Sequence, residues 1–141
     1  ILPVLRELGI GMTAYGVLSR GLISDSALAG GSRSGFRSMA PRFQGENLDR
    51  NLALVQALKD IATEKGCTVA QLAIAWVYAR GPDIVPLIGA RKPARLAEAL
   101  QALDVTLTPQ DFARIEAAAP VGSVAGERYP AAQTAMLDSE R

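Results

Sequence analysis

Two short stretches hold the residues best suited to chemistry. One is Tyr15-Gly16-Val17-Leu18-Ser19-Arg20-Gly21, and the other is Gly89-Ala90-Arg91-Lys92-Pro93-Ala94-Arg95. Each follows a β-prone or apolar run, Met12 to Tyr15 and Ile84 to Ile88. Gly16, Gly21 and Gly89 let a ligand approach the main chain closely. In the second stretch Arg91, Lys92 and Arg95 surround a helix start, which Pro93 marks because proline suits the first helical turn. A helix start offers unpaired N–H groups and the positive end of the dipole, and both favour an anion. The cations there can add charge-assisted bonds to phosphate. These are the parts of a phosphate-binding strand, loop and helix. The same residues also suit a solvated helix start with ordinary surface cations. Tyr15, at a strand end, suits either core packing or a platform for a flat ligand.

Composition removes most other chemistry. The chain has no histidine, so acid–base catalysis by histidine and histidine metal sites are excluded within it. Cys67 is the single cysteine, which leaves neither an intrachain disulfide nor a thiolate cluster for zinc. A net charge of +1 lacks the basic excess that nucleic-acid or membrane-surface binding requires. The cations from Ser32 to Arg42 have only Phe36 and Phe43 as aromatic company, so a surface loop is expected there rather than a single-strand binding site. Asp49, Asp60 and Glu64 read as the wet face of a helix. No apolar run approaches the ~20 residues needed to span a bilayer, and the start shows no signal-peptide pattern. The expected setting is cytoplasmic, with neither nucleic acid nor membrane as partner.

The elements that must position the two stretches follow from spacing. Ile1 to Leu8 reads as the body of a helix ended by Gly9. Met12 to Tyr15 and Ile84 to Ile88 read as buried strands, the second parallel because it is apolar throughout. Between them, Asp25 to Glu46 reads as a long irregular segment rich in Gly, Ser and Arg. Leu48, Leu52, Val55, Leu58 and Ala62 then recur at helical spacing up to Gly66. Thr68 and Gln71 form a capping box for the next helix, which Gly81-Pro82-Asp83 breaks. Pro93 to Leu103 and Thr108 to about Ala119 are two more helices. The tail beyond Pro120 is loop-like, with a short helix near Ala131 to Leu137. Strands alternating with helices mean a parallel α/β sheet. Two strands can neither cover both faces of such a sheet nor close a barrel, so the 141 residues read as a piece of a larger α/β fold.

The run "GIGMTAYGVLSRGLIS", followed by "VPLIGARKPARLAEALQALDVTLTPQDFARIEAAAP", resembles the C-terminal part of the aldo-keto reductase family. "FQGENLDRN", "TVAQLAIAWV" and the "AGERYPAAQTAMLDSE" tail extend the likeness over nearly the whole chain. The resemblance implies the C-terminal portion of a (β/α)8 TIM barrel, with strands 7 and 8 and flanking helices. Residues 1–141 would be one partial domain, incomplete at the N-terminus. It implies NADPH as cofactor, an aldehyde or ketone as substrate, and the missing N-terminal half or another chain as partner. By motif, Tyr15 resembles the tyrosine under the nicotinamide ring. Gly16, Val17, Leu18, Arg20 and Gly21 resemble the loop along the pyrophosphate. Gly89, Ala90, Arg91, Arg95 and Glu98 resemble the pocket for the 2′-phosphate and adenine. The family commonly has Asn at the position of Ala99, so one adenine-edge hydrogen bond is missing here. The catalytic Asp, Tyr, Lys and His of the family have no counterpart in these residues. The competing reading is a non-catalytic truncated barrel that binds nucleotide or a partner protein.

Overall fold

The computed structural model describes residues 1–30 and 35–137. The order is α1 (Leu2–Glu7), β1 (Met12–Ala14), α2 (Asp25–Leu28), α3 (Gly45–Glu64), α4 (Val69–Tyr78), β2 (Ile84–Pro86), α5 (Pro93–Gln101), α6 (Pro109–Ala118) and α7 (Ala131–Thr134). Single 3-10 turns lie at Ser19–Gly21, Gly35–Ser38, Pro41–Phe43 and Ala102–Asp104. Part of the cation-rich loop, Ser32 to Ser34, and the last four residues of the tail lie outside the described residues, as does the side chain of Phe36.

β1 and β2 pair in parallel, with Met12 opposite Ile84, Thr13 opposite Val85 and Ala14 opposite Pro86. Met12 N–H donates to the Asp83 carbonyl at 2.7 Å, and Leu87 N–H donates to the Ala14 carbonyl at 3.0 Å. Alternate residues of a strand face the same neighbour. The nitrogen of Pro86 therefore faces the other edge, where its missing N–H takes nothing from the β1 ladder. Both strands are shorter than the sequence suggests. Tyr15 already belongs to a turn, with Gly16 at φ 78, so β2 has no partner beyond Leu87.

The expectation that both strands are buried fails. Ile84 is 3% exposed, but Val85 is 56% exposed and Thr13 faces solvent. One face of the pair lies on α4, and the other has no covering layer among the described residues. An apolar run shows only that its residues suit burial, and here Val85 and Leu87 lie exposed with no layer over them among the described residues.

The core lies among the helices instead. Leu48, Val55, Leu58, Ile61 and Ala62 of α3 meet Val69 and Leu72 of α4 and Ile115 of α6. Their helical spacing gives α3 its apolar stripe. The segment Asp25 to Glu46, expected to be irregular, supplies Ala40 and Phe43 to this core and holds α2 and the start of α3. The Ser24 hydroxyl caps α2 by accepting the Ala27 N–H at 3.2 Å, and Pro41 opens the turn that aims Phe43 inward.

Polar contacts tie the layers together. Thr68 and Gln71 form the expected capping box at α4, and Thr108 with Asp111 forms another at α6. Lys65, the C-cap of α3, pairs with Asp111 at 2.7 Å. The Lys65 ammonium, with the Thr108 N–H and hydroxyl, holds the Asp111 carboxyl down at about 2. Arg80 lies over Trp76 at 3.9 Å and over Phe112 at 4.8 Å, which joins α4 to α6. Arg6 reaches Asp83 at 2.9 Å and the Arg80 carbonyl at 2.8 Å, which fastens α1 beside the start of β2.

Val4, Leu8, Ile10, Val85, Leu87 and Val121 remain exposed, and among the described residues each strand of the two-stranded sheet has an unpaired edge. Such edges and apolar faces promote association. The isolated 141-residue chain is expected to associate or to lack a cooperative transition in chemical denaturation. A cooperative transition from a monodisperse monomer contradicts this expectation.

Candidate functional site

Parallel pairing sends both glycine-bearing loops out from the same end of the sheet. Between them lies a cavity of about 250 Å³, lined by Leu18, Gly21, Ile88, Gly89, Arg95, Glu98 and Ala99 together with Ser24, Ser26, Arg37, Ala70 and Ile74. A Cβ on Gly89 would meet no atom within 4 Å, so that glycine borders open space.

The loop after β1 is tightly wound. Ser19, Arg20 and Gly21 follow one another in the left-handed region, with φ of 47, 59 and 84. Left-handed backbone costs a non-glycine residue about 1 kcal/mol or more. Ser19 N–H donates to the Gly16 carbonyl and Gly21 N–H to the Leu18 carbonyl, each at 2.8 Å, and these bonds hold the turn. A Cβ on Gly21 would collide with the Arg37 guanidinium, whose Nε donates to the Arg20 carbonyl at 3.0 Å. Glycine is favoured at position 21 by its φ, whereas the guanidinium is the far end of a flexible side chain and can shift away.

The start of α5 has a different character. Its N-cap, Lys92, makes no side-chain cap bond, so the first-turn N–H groups lack a side-chain partner from that residue. Arg95 pairs with Glu98 at 2.7 Å. The other Glu98 oxygen accepts the Thr68 hydroxyl at 3.2 Å. Gln71 donates to the Glu98 carbonyl at 3.1 Å and to the Gln101 side chain at 2.9 Å. The capping box of α4 thus also sets the place of Glu98.

The twelve residues singled out in the sequence fall into four groups. Leu18, Gly21, Gly89, Arg95, Glu98 and Ala99 surround the cavity just described. Tyr15, Gly16 and Arg20 line a second, smaller pocket with Ser19, Arg42, Phe43, Arg128 and Tyr129. Val17 turns toward Ile23, Leu72 and Trp76 in an apolar crevice between helices. Ala90 and Arg91 lie exposed ahead of α5. Arg91 precedes the helix, so it shares no helix face with Arg95.

Sequence reasoning passed over Asn51, which is 1% exposed. Its amide nitrogen donates to the Arg42 carbonyl at 3.0 Å and to the Ala125 carbonyl at 2.9 Å, and its oxygen accepts the Ala125 N–H at 2.8 Å. Its position carried a signal. Asn51 sits between Leu48 and Val55 on the apolar stripe of α3, where an amide needs buried partners. Gly126 lies so close to Pro41 and Arg42 that a Cβ there would meet their backbone at 2.9–3.0 Å. Arg42 Nε donates to the Gly126 carbonyl at 3.2 Å. Asn51 and Gly126 together seat the 125–129 segment against the turn at Pro41–Phe43.

Residues 1–120 match the family model described as "Aldo/keto reductase family". The chain belongs to the aldo/keto reductase family. It is 40% identical over 130 residues to the "Probable aldo-keto reductase 1" of Glycine max, covering 92% of this chain and 38% of that protein. Among solved structures it is similar to a glycerol dehydrogenase from Gluconobacter oxydans, with a TM-score of 0.72 and 28% identity over 84% of this chain and 36% of that one. The chain therefore spans somewhat over a third of the length of these reductase relatives. Aldo/keto reductases work as oxidoreductases with nicotinamide cofactors. No described helix is long and apolar enough to cross a membrane.

Replacing Asn51 with Leu removes three hydrogen bonds and leaves the half-buried Ala125 N–H without this partner. A loss of about 2–3 kcal/mol in stability is expected, with faster proteolysis near residues 120–130. Unchanged stability and unchanged cleavage would show that the bridge does not hold this segment.

Proposed function

We propose that the chain is the cofactor-binding C-terminal part of an NADPH-dependent reductase of aldehydes or ketones. On this reading β1 and β2 are the seventh and eighth strands of a (β/α)8 barrel. The N-terminal half, with the catalytic Asp, Tyr, Lys and His of the family, lies upstream or on another chain. The setting is the cytoplasm. Such barrels commonly bind phosphate at the loops after strands 7 and 8. The observation that carries the reading is the cavity shared by the two post-strand loops, with the α5 start and Arg95 at its wall.

The residues present fit such a cofactor. The α5 start offers N–H donors without a side-chain cap and a positive dipole end. Arg91 and Lys92 stand exposed beside it. Arg95 contacts Glu98 through one nitrogen, and its fork has further donors for a phosphate. Glu98, fixed by Thr68 and Gln71, faces the same cavity and is placed to accept from an adenine amino group. Ala99 beside it offers no second polar contact. Tyr15 is 68% exposed, so its ring is open to stacking rather than committed to the core. When bound, the cofactor supplies the hydride. The residues of this chain bind and orient it and leave proton transfer to groups outside these residues.

The 2′-phosphate of NADPH carries close to two negative charges and is absent from NADH. Each charge-assisted bond to it contributes roughly 1.5–3 kcal/mol, and about 1.4 kcal/mol is a tenfold change in affinity. Arg91→Ala together with Arg95→Ala, in the complete protein, is expected to weaken NADPH binding at least ~100-fold while NADH changes little. Equal binding of both cofactors by parent and double variant would show that the phosphate does not bind here.

A further inference from the structure

The capping box of α4 leaves one proton over, and the box of α6 does not. In α6 the Thr108 hydroxyl accepts the Asp111 N–H at 3.2 Å and donates to the Asp111 carboxylate at 2.8 Å, so its proton stays inside the box. In α4 the corresponding partner is the neutral Gln71. Its amide oxygen accepts the Thr68 N–H at 2.9 Å, and the Thr68 hydroxyl accepts the Gln71 N–H at 3.2 Å. A hydroxyl has one proton, which these two bonds do not use. Thr68 donates it across to α5, to Glu98 Oε1 at 3.2 Å. Glu98 Oε2 accepts from Arg95 at 2.7 Å. The carboxylate is thus pinned at both oxygens, by α4 at one and by its own helix at the other. Within the described residues α5 has little apolar seating. None of its residues is buried, and Leu96 and Leu100 are each more than half exposed. The buried Gln71 amide instead donates to the Glu98 carbonyl at 3.1 Å and to the Gln101 side chain at 2.9 Å. Backbone and side chain of Glu98 are therefore both held by the start of α4, which the core anchors through Val69 and Leu72.

We propose that Thr68 is a positioning residue that sets the choice of base in the cofactor, its hydroxyl proton aiming the Glu98 carboxylate at the adenine amino group. This rests on the reductase reading above, in which Glu98 accepts from that amino group in the cavity between the post-strand loops. The last torsion of a glutamate lies in a broad well, so an unpinned carboxylate meets the amino group only part of the time. Ala99 offers no second polar contact, so the direction of this one carboxylate decides between bases. A base with a donor at that edge, adenine, is favoured. A base with a carbonyl there, hypoxanthine, sets oxygen against carboxylate and is rejected. Capping alone does not account for threonine at position 68. Aspartate caps a helix as well, but its carboxylate has no proton for Glu98.

The test uses the complete protein and its Thr68→Asp, Thr68→Val, Thr68→Ser and Glu98→Ala variants. Binding of NADPH and of its deaminated analogue, nicotinamide hypoxanthine dinucleotide phosphate, is measured calorimetrically for each. The two ligands carry the same phosphates, so the ratio of their affinities cancels changes of local charge or of stability and reads the amino-group contact. Thr68→Asp keeps the cap of α4 and decides the matter where Thr68→Val weakens the fold. The parent is expected to prefer NADPH roughly 10- to 100-fold, as one charge-assisted hydrogen bond implies. Thr68→Asp and Thr68→Val are expected to lower that preference at least about fivefold, and Thr68→Ser to keep it. A preference unchanged in Thr68→Asp or Thr68→Val, yet lost in Glu98→Ala, overturns the role of Thr68 and leaves the cofactor reading standing. A fall in Thr68→Ser as large as in Thr68→Val does the same. A parent that binds NADPH without preferring it overturns the Glu98 contact and the proposal with it. A parent that binds no NADPH overturns the reductase reading itself.

Discussion

Parallel pairing of Met12–Ala14 with Ile84–Pro86 is the constraint on which the rest depends. Antiparallel pairing would send the two loops to opposite ends of the sheet, and no shared cavity would exist. In parallel, the strained Ser19–Gly21 turn and the uncapped α5 start face one another. The ladder is only three residues long on each strand. Its alignment relies on what is packed around it. α4 lies on the sheet, and Arg6 on α1 grips Asp83 and Arg80 just before β2 begins.

A second constraint joins distant parts of the sequence through one amide. Asn51 stands on the apolar stripe of α3, yet its side chain is satisfied only by the Arg42 carbonyl and both backbone groups of Ala125. A buried polar group that is fully bonded specifies one arrangement, because every alternative leaves a donor or acceptor unpaired. The arrangement it specifies brings Arg42 and Arg128 to the wall where Tyr15 and Arg20 already sit. In the same way the Thr68 capping box stabilises α4 and fixes Glu98 across from it. Local folding devices here also position groups around the cavities.

Much of this was legible in the sequence. Pro93, the Thr68 and Thr108 boxes and the glycines after helices mark starts and stops because each solves a local hydrogen-bond or backbone problem. Helical spacing revealed α3 and its core residues. Strand burial is not legible at Ile84 to Ile88, since an apolar run shows that its residues suit burial but not what covers them, and only Ile84 is buried there. The helix α2 was missed because its cap, Ser24, lies in a stretch of Gly and Ser where a single hydroxyl does not stand out. Arg42 and Arg128 were missed because their meeting is long-range. Nothing at either position announces the other, and only the misplaced polarity of Asn51 hinted at a bridge.

The central claim is that a nicotinamide dinucleotide occupies the space between the post-strand loops. Hydrogen–deuterium exchange of the complete protein, with and without saturating NADPH, reads that occupancy directly on backbone amides. The account predicts slowed exchange in the 16–21 loop and across 89–99, with no change at the opposite end of the layer near Gln101 to Thr106. Protection confined to other segments, or none in these two loops at saturation, would contradict it.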